Sequence, residues 1–209
     1  MMANNDIKIL AVDCSLRLTC LALSGGGNVN LDLGRAQAAE LPVIAEKILK
    51  DADLSWEDIN YIALACGPGY FTGIRVGAAY AAGLAFALGI KIIPVNSLEA
   101  LANNFNNYKN LLAIVYAGHG FVYAKSFNCE KNLELGQYDA LAIKDFIDKN
   151  KDLNIISDDP ERALSALDLN FKCECVKPNA NGLIKAALSK IDLAVEPENL
   201  KIEYCKGAI

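Results

Sequence analysis

The sequence predicts a two-lobed α/β protein, and three observations carry that expectation. The first hundred residues run strand, strand, strand, helix, strand, helix, strand, helix. A polar, Asn-rich run, "NNFNNYKN" at 103–110, then interrupts the order, and beyond it the pattern partly restarts. The 209 residues suffice for one large core or two small ones, and 53% hydrophobic against 22% charged residues is the balance of an ordinary globular chain. The lobes are placed at 1–105 and 106–209.

The runs "IKILAVDCS", "LTCLALSGGG" and "NVNLDLG" are short and apolar or alternating, with Gly and Asn between them, which predicts a three-stranded antiparallel meander. Leu41, Ile44, Ala45, Ile48 and Leu49 then recur at helical spacing as one apolar stripe, with Glu46, Lys47 and Lys50 off it and Pro42 expected in the first turn or at a bend. Ser55 to Asp58 has the form of a capping box, and "INYIALAC" after it is apolar enough for a strand buried on both faces. A helix is expected over 72–89, a strand at "IKIIPVN", and a further helix from "SLEALANNF" with Ser97 as its cap. A meander joined to helix-linked strands is the pattern of a ribonuclease-H-like lobe. In the second half, "LLAIVYAGHGFVYAKSF" reads as a hairpin around Gly118 and Gly120, "LNIIS" as a strand, and "IKDFIDKN" and "NGLIKAALSKIDL" as amphipathic helices, giving a degenerate second lobe.

Composition narrows the function classes. With Lys+Arg 20 against Asp+Glu 25, the net charge of −5 argues against a basic nucleic-acid surface, so contact with RNA is expected only through another chain. Seven cysteines, mostly inside apolar runs, fit a reduced, cytoplasmic setting. The N-terminus does not read as a secretory signal, and the one membrane candidate, 73–90, contains Arg75 and is diluted by Gly and Ala, so no membrane is expected.

"GPGYFTGIRVG" at 67–77 has neither the lysine of a P-loop nor the spacing of a dinucleotide fingerprint. Gly67 and Gly69 permit positive φ or close backbone approach, and Thr72 is placed to cap the helix that follows. The resulting corner would present free amides, at Gly67, Gly69, Thr72 and Gly73, to an anion, or it would serve only to fold the chain. Asp13, at the end of the first strand, is a second candidate for a nucleotide site, and equally a turn-former. Gly73, Gly77, Ala81, Ala85 and Gly89 make a ridge of small residues that lets a neighbour approach closely, either the chain's own helix or sheet or a second chain. His119 is the only histidine, so a two-histidine metal site cannot be built, and Cys173 with Cys175 lacks further metal ligands.

"ILAVDCS", "GPGYFTGIRVG" followed by "GLA", and "PVNSLEAL" together resemble, in order and spacing, the TsaB/YeaZ family of bacterial tRNA threonylcarbamoyladenosine biosynthesis proteins. The family's central motif reads close to GPGSFTGLRIG, from which Tyr70, Ile74 and Val76 differ. The resemblance covers roughly the first half of the chain. It implies an actin-like, two-lobed fold without catalytic activity, cofactor or metal of its own. It further implies a non-catalytic scaffold that pairs, through its N-terminal-lobe helices, with the actin-like transferase TsaD, alongside the P-loop ATPase TsaE. A homodimer is left open, and tRNA is touched only indirectly. On that reading the partner-facing residues are Leu41, Ile44 and Ile48 on one helix, and Arg75, Ala78, Tyr80 and Ala82 on the other. The sequence departs from the family where "GRAQAAELP" lacks a histidine, where Tyr116, Ala117 and Gly118 stand in place of an Asp-Ala-Arg-like start to the second lobe, and where "EYCKGAI" ends the chain. The alternative is a small ATP-binding phosphotransferase or ATPase that uses Asp13 and the amides of Gly67 to Gly73. A peptidase would need His119 or a metal.

Overall fold

The structure, a computed structural model, describes residues 7–118 and 120–205. Two five-stranded sheets share one topology. In the first, β1 (Ile9–Asp13) pairs antiparallel with β2 (Thr19–Leu23), and β2 with β3 (Asn28–Leu31). On the other side β4 (Tyr61–Ala65) runs parallel to β1 and β5 (Lys91–Val95) parallel to β4, so the order is β3-β2-β1-β4-β5. The second sheet repeats this with β6 (Leu111–Gly118), β7 (Phe121–Phe127) and β8 (Gly136–Tyr138) as the meander, and with β9 (Asn154–Ser157) and β10 (Glu174–Cys175) added in parallel. With β8 three residues long and β10 two, the second sheet is the reduced copy of a two-lobed, actin-like arrangement.

Strand periodicity distributes the core. Leu10 and Val12 of β1 turn to one face of the first sheet, against α1 (Gln37–Asp51) and α2 (Phe71–Leu88), while Ile9 and Ala11 turn to the other. Both faces are covered, which is why these strands read as continuous apolar runs rather than alternating ones. Each fully buried Leu or Ile contributes about 1.5–3 kcal/mol. In the second sheet, Leu112 and Ile114 face α4 (Ala140–Lys149) and α5 (Pro160–Leu167), whereas Leu111, Ala113 and Val115 face α3 (Ser97–Ala102).

The last helix, α6 (Ala180–Leu188), returns to the first sheet, where Ala180, Leu183, Ile184 and Ala187 cover Ile9, Ala11, Ala63 and Ile93. Helices α3 and α6 also lie against each other. A Cβ on Gly182 would overlap the Ala100 carbonyl oxygen and the Asn104 side chain, so only glycine permits that approach. Lys190 closes the contact on Glu99 at 2.6 Å, both side chains being mostly buried. The two lobes are thus joined by crossed helices as well as by the 103–110 segment that leads into β6.

Three local expectations are corrected. Asn96, not Ser97, caps α3: its Oδ1 accepts from the amides of Leu98 at 2.9 Å and Glu99 at 3.3 Å, while the Ser97 hydroxyl accepts from the Gly67 amide at 3.1 Å. Pro42 sits inside α1, because a 3-10 turn over Gly34–Ala36 starts the helical path earlier than the apolar stripe does. Helix α6 ends at Leu188, and "IDL" forms a separate 3-10 turn. The Ser55–Asp58 capping box forms as expected, with both the Ser55 amide and hydroxyl donating to Asp58 at 2.8 Å.

Candidate functional site

The corner between β4 and α2 is built by backbone lying on backbone. The Tyr70 amide donates to the Ser15 carbonyl at 2.7 Å, the Ser97 amide to the Gly67 carbonyl at 2.8 Å, and the Glu203 amide to the Cys66 carbonyl at 2.9 Å. A side chain at Gly69 would overlap the Ser15 carbonyl oxygen, and one at Gly73 the Cys14 carbonyl oxygen. At Gly67, with φ +109°, a Cβ would stand 2.5 Å from the Glu203 carbonyl oxygen. The glycines of "GPGYFTG" therefore admit the chain's own carbonyls, whose negative ends are poor company for an anion.

The local geometry differs from the cradle expected of the sequence. Thr72 is exposed and caps nothing, the N-cap of α2 is Tyr70 without a side-chain bond, and Gly67, Gly69 and Gly73 are closed by Glu203, Ser15 and Cys14. Asp13 is buried, and its Oδ1 accepts from the Ser15 amide at 2.8 Å and the Ser15 hydroxyl at 2.6 Å. Burial pushes its carboxyl above the ordinary range, against the lowering effect of those two bonds. An acid whose pKa is higher folded than unfolded binds its proton more tightly in the native state, so it removes stability as pH rises past its unfolded pKa of about 3.9. Asp13→Asn keeps an acceptor for Ser15 without the charge. It is expected to raise the unfolding midpoint at pH 7, by about 1.4 kcal/mol for each unit by which folding raises the carboxyl. The gain should shrink towards zero at about pH 3.5, as thermal melts at the two pH values would report.

Helix α2 has two unlike faces. The small-residue ridge at Gly73, Gly77, Ala81 and Ala85 is buried, with Gly77 against Cys14 and Leu64, so the neighbour that the ridge admits is the chain's own sheet. Opposite it, Phe71, Arg75, Ala79 and Phe86 are exposed, Phe71 at 53% and Phe86 at 79%. Arg75 is the sole charge in these eighteen residues. By length and composition α2 could cross a membrane, but its ridge is sealed onto β1 and β4 as one layer of the lobe. On α1 the apolar stripe likewise faces inward, leaving Val43, 60% exposed, among Glu46, Lys47 and Lys50.

Four of the residues expected to face a partner are buried in this structure. Leu41, Ile44, Ile48 and Ala78 lie in the core of the first lobe and offer almost no surface, because the stripe that marks a helix's apolar side is the side its own sheet takes. Arg75 is exposed, and Tyr80 and Ala82 are half-buried at the edge. Phe71, Ala79, Phe86 and Val43 are exposed on these helices and were not among the residues expected to face a partner. A helical projection with the glycine ridge placed inward would have put the first three on the outer face.

Between the lobes, Arg162 of α5 donates to the Tyr70 hydroxyl at 2.7 Å and lies 4.1 Å over the Tyr116 ring. Asp158, at the end of β9, accepts a long 3.5 Å bond from the Arg17 amide and is pushed up to about 6, chiefly by burial and also by Asp159 and Asp13. His119 lies outside the described residues. Burial drives the Cys14 and Cys66 thiols up to about 12, which keeps them protonated and non-nucleophilic, and among the described residues no three metal-ligating side chains converge.

The sequence profile of the family described as TsaD, tRNA N6-adenosine threonylcarbamoyltransferase, matches residues 20–197. The tRNA threonylcarbamoyladenosine biosynthesis protein TsaB of Buchnera aphidicola subsp. Acyrthosiphon pisum is 33% identical over 162 residues, which are 72% of this chain and 73% of the relative. The protein of the same description from Haemophilus influenzae is 30% identical over 132 residues, which are 60% of this chain but only 56% of the relative, so the match spans little more than half of that protein. Among solved structures, one described as an uncharacterized protein with similarity to peptidase YEAZ from Pseudomonas aeruginosa shares the fold. Its TM-score is 0.74, at 21% identity, over 96% of this chain and all of that one.

Proposed function

We infer that this chain, which belongs to the TsaB/YeaZ family of tRNA threonylcarbamoyladenosine biosynthesis proteins, is a non-catalytic scaffold that pairs with a TsaD-type transferase through the outer faces of α1 and α2. The observation that carries the reading is the outer face of α2: Phe71, Ala79 and Phe86 lie open to water with one charge among them. Because the transferase profile extends over residues 20–197, the partner shares this lobe's architecture, and like faces can pack about a pseudo-twofold axis. Two copies of this chain would use the same face, so the homodimer and the heterodimer compete. The ATP-dependent steps are left to the transferase and to the ATPase TsaE. A carbonyl-lined corner, a buried Asp13 and protonated thiols supply no nucleophile or phosphate cradle here. The net charge of −5 leaves tRNA binding to the partner, and the cytoplasm is the proposed location.

Depleting this chain in its own cell should remove threonylcarbamoyladenosine from total tRNA, read by nucleoside mass spectrometry. Unchanged levels would sink the proposal.

The edge of the face carries a second measurable feature. The Tyr80 hydroxyl is buried with no hydrogen-bond partner among the described residues, and burial pushes it up to about 12. An unmet buried hydroxyl costs about 1–3 kcal/mol. Tyr80→Phe is therefore expected to leave the unfolding free energy of the isolated chain unchanged or raised by about 1 kcal/mol. A loss above that size in chemical denaturation would mean that the hydroxyl is satisfied.

A further inference from the structure

The segment after α6 forms a strap that runs onto this face. Val195 exchanges two backbone bonds with Ile92, at 2.8 and 2.9 Å. Leu200 and Ile202 then pack onto the core between the first sheet and its helices, and Glu203 is fixed at both ends, its amide on the Cys66 carbonyl and its Oε2 accepting from Asn96 at 2.8 Å. These anchors deliver Tyr204 over the first turn of α2. Its ring lies 5.5 Å from that of Phe71, and its hydroxyl accepts from Arg75 Nε at 3.0 Å. The Arg75 guanidinium in turn lies 3.7 Å above the Phe71 ring.

We propose that Tyr204 is a positioning residue of the docking face, its hydroxyl holding Arg75 over the Phe71 ring so that the remaining N–H groups can donate to a carboxylate of the partner. The inference rests on the scaffold reading and names the chemistry of the contact. An arginine free in water loses rotamer entropy when it is immobilised on binding. Here the stack and the Nε bond restrain it beforehand, which is the condition for a strong bidentate contact. Arg75 forms no ion pair among the described residues, and it is the lone charge of α2 on an acidic chain. Arg75 stacked on Phe71 at the surface fits an arginine anchor of the kind that dominates interfaces.

The test is calorimetric titration of the full chain with the transferase of its own organism, for the unaltered chain, Tyr204→Ala, Tyr204→Phe, Arg75→Ala and the Tyr204→Ala/Arg75→Ala double variant, with thermal melts to confirm that each is folded. Tyr204→Ala should weaken binding about tenfold, and Tyr204→Phe, which keeps the ring but not the acceptor, by an intermediate factor. In the double variant, binding should be no weaker than in Arg75→Ala alone, since the tyrosine acts only through the arginine. Binding within twofold of the unaltered chain for Tyr204→Ala, or additive losses in the double variant, would overturn this inference alone. No binding by the unaltered chain would overturn the scaffold reading and this inference with it.

Discussion

Gly73→Ala is expected to unfold the protein or to lower its stability by about 4 kcal/mol or more, in the range reached only by severe backbone or core conflicts. A Cβ at that position overlaps the Cys14 carbonyl oxygen, which belongs to the chain just beyond β1 and is held there by the sheet on one side and by the Ser15 to Tyr70 bond on the other. Neither group is the free end of a flexible side chain, so relief requires moving α2 off its sheet. Gly83→Ala is the internal control. It lies in the same helix, exposed, with nothing within 4 Å of its Cβ position, and should gain up to about 1 kcal/mol from helix propensity. Denaturant unfolding of the two variants side by side separates the explanations. Similar stabilities would mean that the glycines of the 67–73 corner are not there for close packing, and would reopen the anion-site reading with Asp13.

The double variant Ala79→Glu/Phe86→Glu is expected to weaken pairing with the transferase by about a hundredfold or more, since each carboxylate would be desolvated without a partner. Its unfolding midpoint should barely move, because both side chains are exposed and substitutions at such positions usually stay within about 0.5 kcal/mol. That pairing of outcomes distinguishes an interface from a core. Ile48→Glu would not distinguish them. It places a charge in the lobe's own hydrophobic cluster, so loss of binding would follow from loss of folding.

The first lobe was legible almost element by element, because β1, β2, β4 and β5 are short apolar runs separated by turn residues or amphipathic helices. The crossing of α3 and α6 between the lobes was not, since "NGLIKAALSKIDL" shows an apolar face without saying which sheet receives it. Leu41, Ile44, Ile48 and Ala78, expected to face a partner, are buried for a definite reason. An amphipathic stripe marks burial, and in α1 the sheet claims it, so the exposed remainder is what another chain can touch. In α2, apolar on nearly every side, periodicity alone could not separate the two, but the ridge from Gly73 to Ala85 could have. Tyr70 and Tyr116 are two departures from the family pattern in the sequence. In the structure both meet Arg162, Tyr116 from within the second lobe and Tyr70 from the first, contacts between residues so distant in the chain that no local pattern announces them.

The most direct measurement is light scattering coupled to size-exclusion chromatography, on the chain alone, on an equimolar mixture with the TsaD-type transferase of its own organism, and on that mixture with Ala79→Glu/Phe86→Glu. A one-to-one complex that displaces any homodimer, and that the double variant abolishes while staying folded, is the expected result. Two unmixed peaks for the unaltered chain, or a complex that forms equally well with the double variant, would contradict a scaffold that binds through the outer face of α2.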